Sequence, residues 1–251
     1  MAQNNTPPKD ESYKTTEEYQ ALYAKCYAFD KIPDNAIENV YTDDIINAYK
    51  TLLSFPIYSK VEMDRGFIGT TLYSFKAQNR EQEIVLETMK KFYWKWYLIT
   101  GKPGIGKTHL AIGCMISSMG QSKKKTGKYD TAEAVFLRIK RNFGSEENVV
   151  AIYVNYDVLV LDECEAEKLT AYKDNDIKGV FQEIIRKRDI AKKQTIIVGN
   201  NPDEVFKIIG SNGYSRINGA GEIFELTSEN WIDVRPKIKE RINADGEFVP
   251  L

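Results

Sequence analysis

Two patterns of apolar and polar positions divide the chain. Tyr19, Leu22, Tyr23, Cys26 and Phe29 recur at helical spacing behind Thr15 and Thr16, which can cap a helix, and Glu17 and Glu18, which suit its N-terminal dipole. Ile45, Ile46, Tyr49, Leu52 and Leu53 repeat the pattern behind Thr42, Asp43 and Asp44, and Pro56 ends it. After a seam over 66–75 the pattern changes. Residues 82–92 again read as helix, but the apolar runs 96–99, 158–161, 195–198 and 223–226 are rich in Val, Ile and Leu, with too few alternating polar residues for one solvated face. Such runs are parallel strands covered by helices on both sides. Helices are predicted over 108–119, 132–143 and 177–188. The run 149–154 is open: its β-branched residues favour a strand, its place just before the strand at 158 favours a short helix. The pattern therefore predicts a polar tail over 1–14, a small helical module over 15–68 and an α/β domain over 69–251 with a central, mostly parallel sheet.

Composition adds exclusions. At 251 residues with 42% hydrophobic content, the chain can bury a real core. The longest apolar stretches are strand-sized and follow no basic leader, which predicts a cytoplasmic protein with neither signal peptide nor membrane span. Cys26, Cys114 and Cys164 stand singly and His109 is the sole histidine, so neither a disulfide framework nor a zinc site is assembled. The net charge of -1 conceals a split. Up to Ile68 there are seven Lys and Arg against eleven Asp and Glu; afterwards there are 28 against 25. A split this small is mostly solvated surface.

The chemistry is concentrated in a few segments. Gly101-Lys102-Pro103-Gly104-Ile105-Gly106-Lys107-Thr108, followed by His109, joins the run at 96 to the helix at 108: strand, glycine loop, helix. Glycines let successive N–H groups face a phosphate that also sits on the helix's positive end. Lys107 adds a point charge for the β- and γ-phosphates and the Thr108 hydroxyl is a candidate Mg²⁺ ligand, so the loop predicts binding of a nucleoside triphosphate. The apolar run at 158–161 ends in Asp162-Glu163, a Walker B pattern: Asp162 is a candidate Mg²⁺ ligand, and Glu163 a general base for an attacking water. The guanine-selecting Asn-Lys-x-Asp of GTPases is absent, which argues against a GTPase. The strand at 195–198 ends in Gly199-Asn200-Asn201-Pro202, which places two amides at the edge where a γ-phosphate sensor would sit. Arg216, just before the last strand, is a candidate arginine finger acting across a subunit boundary.

This order of elements resembles the AAA+ ATPases, and more closely their DnaC/DnaI/IstB group of helicase loaders and transposition helpers, over about residues 72–239. The likeness is carried by Phe75, Asn79-Arg80-Glu81, the loop through Ala111, Thr131-Ala132-Glu133, Phe136-Leu137-Arg138 and Asp162-Glu163. It continues in Phe181, Glu183-Ile184-Ile185, Arg188, the strand at 195–201, Ser215-Arg216 and Phe224-Glu225-Leu226. The resemblance implies a three-layer AAA+ P-loop domain without a C-terminal lid, ATP hydrolysis with Mg²⁺, a homo-oligomer in which Arg216 reaches a neighbour's nucleotide, and Arg235 as a weaker sensor. It implies a loader of a replicative helicase, held by the N-terminal module, onto single-stranded DNA. Lys123, Lys124, Lys125 and Lys128, with Arg138, Lys140 and Arg141, are the candidate DNA contacts. The alternatives are an IstB-like partner of a transposase and a nucleotide-switched binding module with little turnover. The chain departs from the group in ending its sensor strand Gly199-Asn200-Asn201 where the group often has Thr-Ser-Asn, a register that implies Asn201 as the sensor with Asn200 in reserve, and in lacking cysteines for a zinc-binding front domain.

Overall fold

The computed structural model describes residues 57, 58, 60–67, 69–120, 125–142, 144, 146–165 and 175–227. The tail, the two amphipathic N-terminal helices, Lys123, Lys124 and Arg235 lie outside the described residues. Six parallel strands form one sheet: β1 (Val61–Glu62), β2 (Trp96–Gly101), β3 (Gly127–Thr131), β4 (Val158–Asp162), β5 (Gln194–Val198) and β6 (Gly221–Leu226). Their order across the sheet is β1-β3-β4-β5-β2-β6, so every connection between neighbours is a crossover. The helices are α1 (Arg80–Lys91), α2 (Lys107–Gly120), α3 (Ala132–Arg141), α4 (Glu146–Asn155), α5 (Asn175–Ile190) and α6 (Pro202–Ala220). The open run at 149–154 is helix. β1 joins a segment ahead of residue 69 to the sheet, so the boundary expected at 68 falls inside the folded domain.

Alternation along the strands divides the core into two layers. Tyr97, Ile99, Val158, Val160, Ile196 and Val198 pack with Leu110, Cys114 and Met115 of α2 and Val85 and Met89 of α1. Leu98, Leu159, Leu161 and Ile197 face the other way, into Phe136 of α3, Tyr153 of α4, Phe181 of α5 and Ile208 of α6. Both faces of the sheet's centre are thereby removed from water, which is why β2, β4 and β5 are buried along their whole length and carry no alternating polar face. Asn79, Thr131 and Asn201 cap α1, α3 and α6 with their side chains. Arg188 is fully buried. Its guanidinium donates to Thr195 Oγ1 at 2.9 Å, to the carbonyls of Tyr153 and Tyr156 at 2.6 and 2.7 Å, and to that of Gln194, so one side chain ties α5 to β5 and the end of α4. Burial pushes this arginine down to about 9, still charged at neutral pH.

Candidate nucleotide site

The C-terminal ends of β2, β4 and β5 meet along one edge, where a parallel sheet opens its crevice. The glycine loop turns there with Gly101, Gly104 and Gly106 at φ of 137, 78 and 92°. Side-chain atoms are excluded as well. A Cβ on Gly106 would come within 2.5 Å of the Phe75 ring, and one on Gly101 within 2.3 Å of the Leu226 carbonyl. Gln82 of α1 donates from Nε2 to the Ile105 carbonyl at 2.9 Å, a buried bond that holds the loop from behind. His109, in the first turn of α2, sits 3.0 Å from the Thr71 carbonyl and 3.0 Å from Ser74 Oγ, edge-on to Phe75; burial lowers its pKa, against the opposing pull of the Thr71 bond.

Lys107 is buried, and its Nζ donates to the carbonyls of Gly101 and Lys102 at 2.8 Å each and to Asn200 Oδ1 at 2.9 Å. Thr108 Oγ1 donates to Asp162 Oδ2 at 2.6 Å, which joins the two Walker segments directly. Glu163, beside them, is exposed and holds a left-handed φ of 53°. A glutamate in that conformation is strained, and strain of this kind gathers at functional sites. Its N–H donates to Asp162 Oδ1 at 2.7 Å, so the turn that exposes Glu163 also fixes the aspartate. These groups line a pocket of about 760 Å³.

Thr108 Oγ1 and Asp162 Oδ2 are hard oxygen donors side by side, a set that fits Mg²⁺ carried on a phosphate. Among the described residues no group of three or more His, Cys, Asp or Glu is arranged to hold a metal ion, so the remaining ligands would be phosphate oxygens and water.

Two expectations change. Asn201 is exposed and spends its Oδ1 on the N–H groups of Asp203 and Glu204 at 2.8 and 3.3 Å, as the cap of α6. The residue that reaches the pocket is Asn200, one position earlier, because β5 ends at Val198 and Pro202 starts the helix. Lys128 is buried in β3 and bonded to Glu62, with Asp130 at 3.5 Å, which removes it from the candidate DNA contacts. Arg216 lies on α6 and pairs with Asp189 of α5 at 2.5 Å, in a different cavity beside Gly210. Of the other basic candidates, Lys125 donates to the Ser118 carbonyl at 3.3 Å, whereas Lys140 and Arg141 are exposed and Arg138 lies over the Tyr153 ring at 5.6 Å. Arg138 and Arg141 border a groove with Leu137 and Ile152.

Pattern reading missed Tyr129, whose hydroxyl donates to Asp162 Oδ2 at 3.0 Å, and Glu165, a buried carboxylate that accepts the Asn200 N–H. Neither carries a sequence signal: Tyr129 belongs to a short strand without apolar repetition, and Glu165 follows the Walker B pair without a recognised spacing.

A parallel three-layer sheet with a glycine loop, a lysine and a strand-end Asp-Glu pair at one edge defines a P-loop ATP-binding protein of the AAA+ kind. The model of the family IstB-like ATP binding protein matches residues 73–207, more than half of the chain, and the protein belongs to that family. The replicative helicase loader DnaC of Escherichia coli K12 is 25% identical over 145 residues, 57% of each chain, so the match spans a little over half of that relative's length. DnaC of Buchnera aphidicola is 23% identical over 212 residues, 79% of this chain and 82% of that one. Among solved structures, the DnaC helicase loader aligns with a TM-score of 0.56 at 23% identity, covering 65% of this chain and 99% of the other. DnaI aligns with a TM-score of 0.53 at 16% identity, covering 68% and 97%. The replication initiator DnaA bound to AMPPCP and single-stranded DNA aligns with 0.53 at 19%, covering 64% and 50%. At these identities the structural likeness establishes the fold. Among the described residues no helix is long and apolar enough to cross a membrane.

Proposed function

We propose that this protein hydrolyses ATP with Mg²⁺ and acts, as an oligomer, to load a replicative helicase onto single-stranded DNA. The observation that carries the ATPase reading is the convergence of Lys107, Thr108, Asp162, Glu163 and Asn200 on one pocket. Lys107 would exchange its loop carbonyls for β- and γ-phosphate oxygens, and Asn200, already on that ammonium, would lie beside the terminal phosphate. Glu163 is exposed at the pocket rim and holds Asp162 with its backbone N–H alone, which leaves its carboxylate suited to orient water and accept its proton. Thr108 and Asp162 would hold the divalent cation, which when bound neutralises phosphate charge. The loader reading rests on the likeness to DnaC, and the N-terminal module is proposed as the helicase contact.

Glu163→Gln should retain ATP affinity within about twofold and lose turnover by two or more orders of magnitude, because only the base is removed. Binding and phosphate release measured on the same preparation test it. Equal losses in both would sink the role of Glu163. Affinity capture from the native host, read for a hexameric helicase or for a transposase, separates the loader from the transposition partner that the IstB-like family match also favours.

A further inference from the structure

We propose that Tyr129 is a positioning residue for Asp162, set in place by the Phe67 ring, and that it tunes how strongly Mg²⁺ strengthens ATP binding. The inference rests on the reading of Thr108 and Asp162 as the cation ligands. Asp162 Oδ1 accepts the Glu163 N–H at 2.7 Å, while Oδ2 accepts both the Thr108 hydroxyl at 2.6 Å and the Tyr129 hydroxyl at 3.0 Å. Of these partners, Thr108 must turn toward a cation when one arrives. The Glu163 N–H and the Tyr129 hydroxyl can stay, and together they keep the carboxylate from rotating.

Tyr129 arrives from the neighbouring strand. β3 pairs it with Val160, two residues before Asp162, so its hydroxyl reaches along the strand ends rather than straight across. A phenol is protonated at neutral pH and a carboxylate has only acceptors to offer, so the Tyr129 hydroxyl donates to Asp162. Its ring meets the Phe67 ring at 5.0 Å and 56°. Phe67 ends a single turn, Arg65–Phe67, held by its own N–H on the Asp64 carbonyl and by the Thr70 N–H on its carbonyl. The preceding β1 is fastened to β3 through Glu62 on Lys128, the residue next to Tyr129. Both rings line the nucleotide pocket. A tyrosine that merely satisfied its hydroxyl in the core would need neither a wall on the pocket side nor Asp162 as its acceptor.

A partner that orients a metal-ligating carboxylate typically changes metal affinity by about tenfold or more. The test measures ATP binding by calorimetry on the full chain, once with excess Mg²⁺ and once with EDTA. Tyr129→Phe should leave the EDTA affinity within about twofold of wild type and weaken the Mg²⁺ affinity by roughly tenfold. Phe67→Leu, which keeps the hydroxyl but removes the ring wall, should move the same ratio in the same direction by a smaller factor. A Tyr129→Phe protein whose two affinities fall together, or whose ratio equals wild type, overturns the proposal, and an unchanged ratio in Phe67→Leu overturns the part given to Phe67. Wild-type protein that binds ATP equally with and without Mg²⁺ brings down the cation site itself, a distinct result visible before any variant is made.

Discussion

Two lysines sit buried among the described residues, and they have opposite meanings. Lys107 is 7% exposed and turns its ammonium to backbone carbonyls and an amide oxygen; Lys128 is 2% exposed and turns its ammonium to Glu62 and Asp130. Neutral dipoles stabilise a cation without cancelling its charge, so a phosphate can still be attracted to Lys107. Carboxylates cancel it. Around Lys128 the charge is consumed in structure, and the bond to Lys128, followed by that to the Tyr156 hydroxyl, holds Glu62 below the usual carboxylate range. The difference separates a site from a clasp: one buried cation lines the pocket at the mouth of the sheet, the other fastens β1 to its edge.

The sharpest way to break this comparison is to remove each charge. Lys107→Ala should abolish measurable ATP binding, since the phosphate counter-charge is gone, while leaving thermal stability close to wild type. Lys128→Met should do the reverse. It leaves Glu62 and Asp130 without their cation, though Tyr156 and Tyr153 still donate to them, and should lower stability by about 1–3 kcal/mol with ATP affinity within about twofold. Titration calorimetry and denaturant unfolding on both proteins decide it; an ATP defect in Lys128→Met comparable with that of Lys107→Ala would erase the distinction.

Arg216 extends the comparison to a third cation. It pairs with Asp189 in its own chain, away from the pocket that holds Lys107. If it serves a neighbour's nucleotide, Arg216→Ala should leave ATP binding nearly intact and lower turnover by about two orders of magnitude or more, the scale on which such fingers act. Mixing in Lys107→Ala protein, which still carries Arg216, should restore part of the activity. A monomer that turns over fully at high dilution would rule the arrangement out.

The sequence reading was strongest where one physical constraint acts alone. Strands covered on both faces must be apolar throughout, and a loop that cradles phosphate must be glycine-rich, so β2, β4, β5 and the segment from Gly101 to Thr108 stood out in the chain. It failed where tertiary packing chose between equals. β3 reads Gly-Lys-Tyr-Asp-Thr, at the end of a lysine-rich stretch; pairing with β4 makes its lysine a strand residue, and Glu62, 66 positions away, gives the buried ammonium its partner. Asn200 and Asn201 have identical side chains in adjacent positions. What separates them is that α6 needs a cap before Pro202 and takes the nearer one. The run at 149–154 is β-branched but becomes helix because it spans the layer over β4, where Val149, Val150 and Tyr153 meet the core at helical spacing.

The smallest expected effect concerns DNA. With Lys128 withdrawn and Lys125 bonded back to α2, the candidate contacts that remain among the described residues are Arg138, Lys140 and Arg141 on α3. Arg138 and Arg141 flank Leu137 and Ile152, which are 37% and 38% exposed, so phosphates could pair with the arginines while bases lie on the apolar floor. Two lost phosphate contacts should flatten the log-log dependence of single-stranded DNA affinity on salt by about 1.4, at roughly 0.7 per contact. The double variant Arg138→Ala with Arg141→Ala, measured over a salt series against Lys128→Met, puts the two kinds of cation side by side. A flattened slope in the arginine variant alone marks the groove as the DNA contact, whereas an unchanged slope in the arginine variant removes the groove, and a flattened slope in Lys128→Met would mean that the clasp opens to expose its charge.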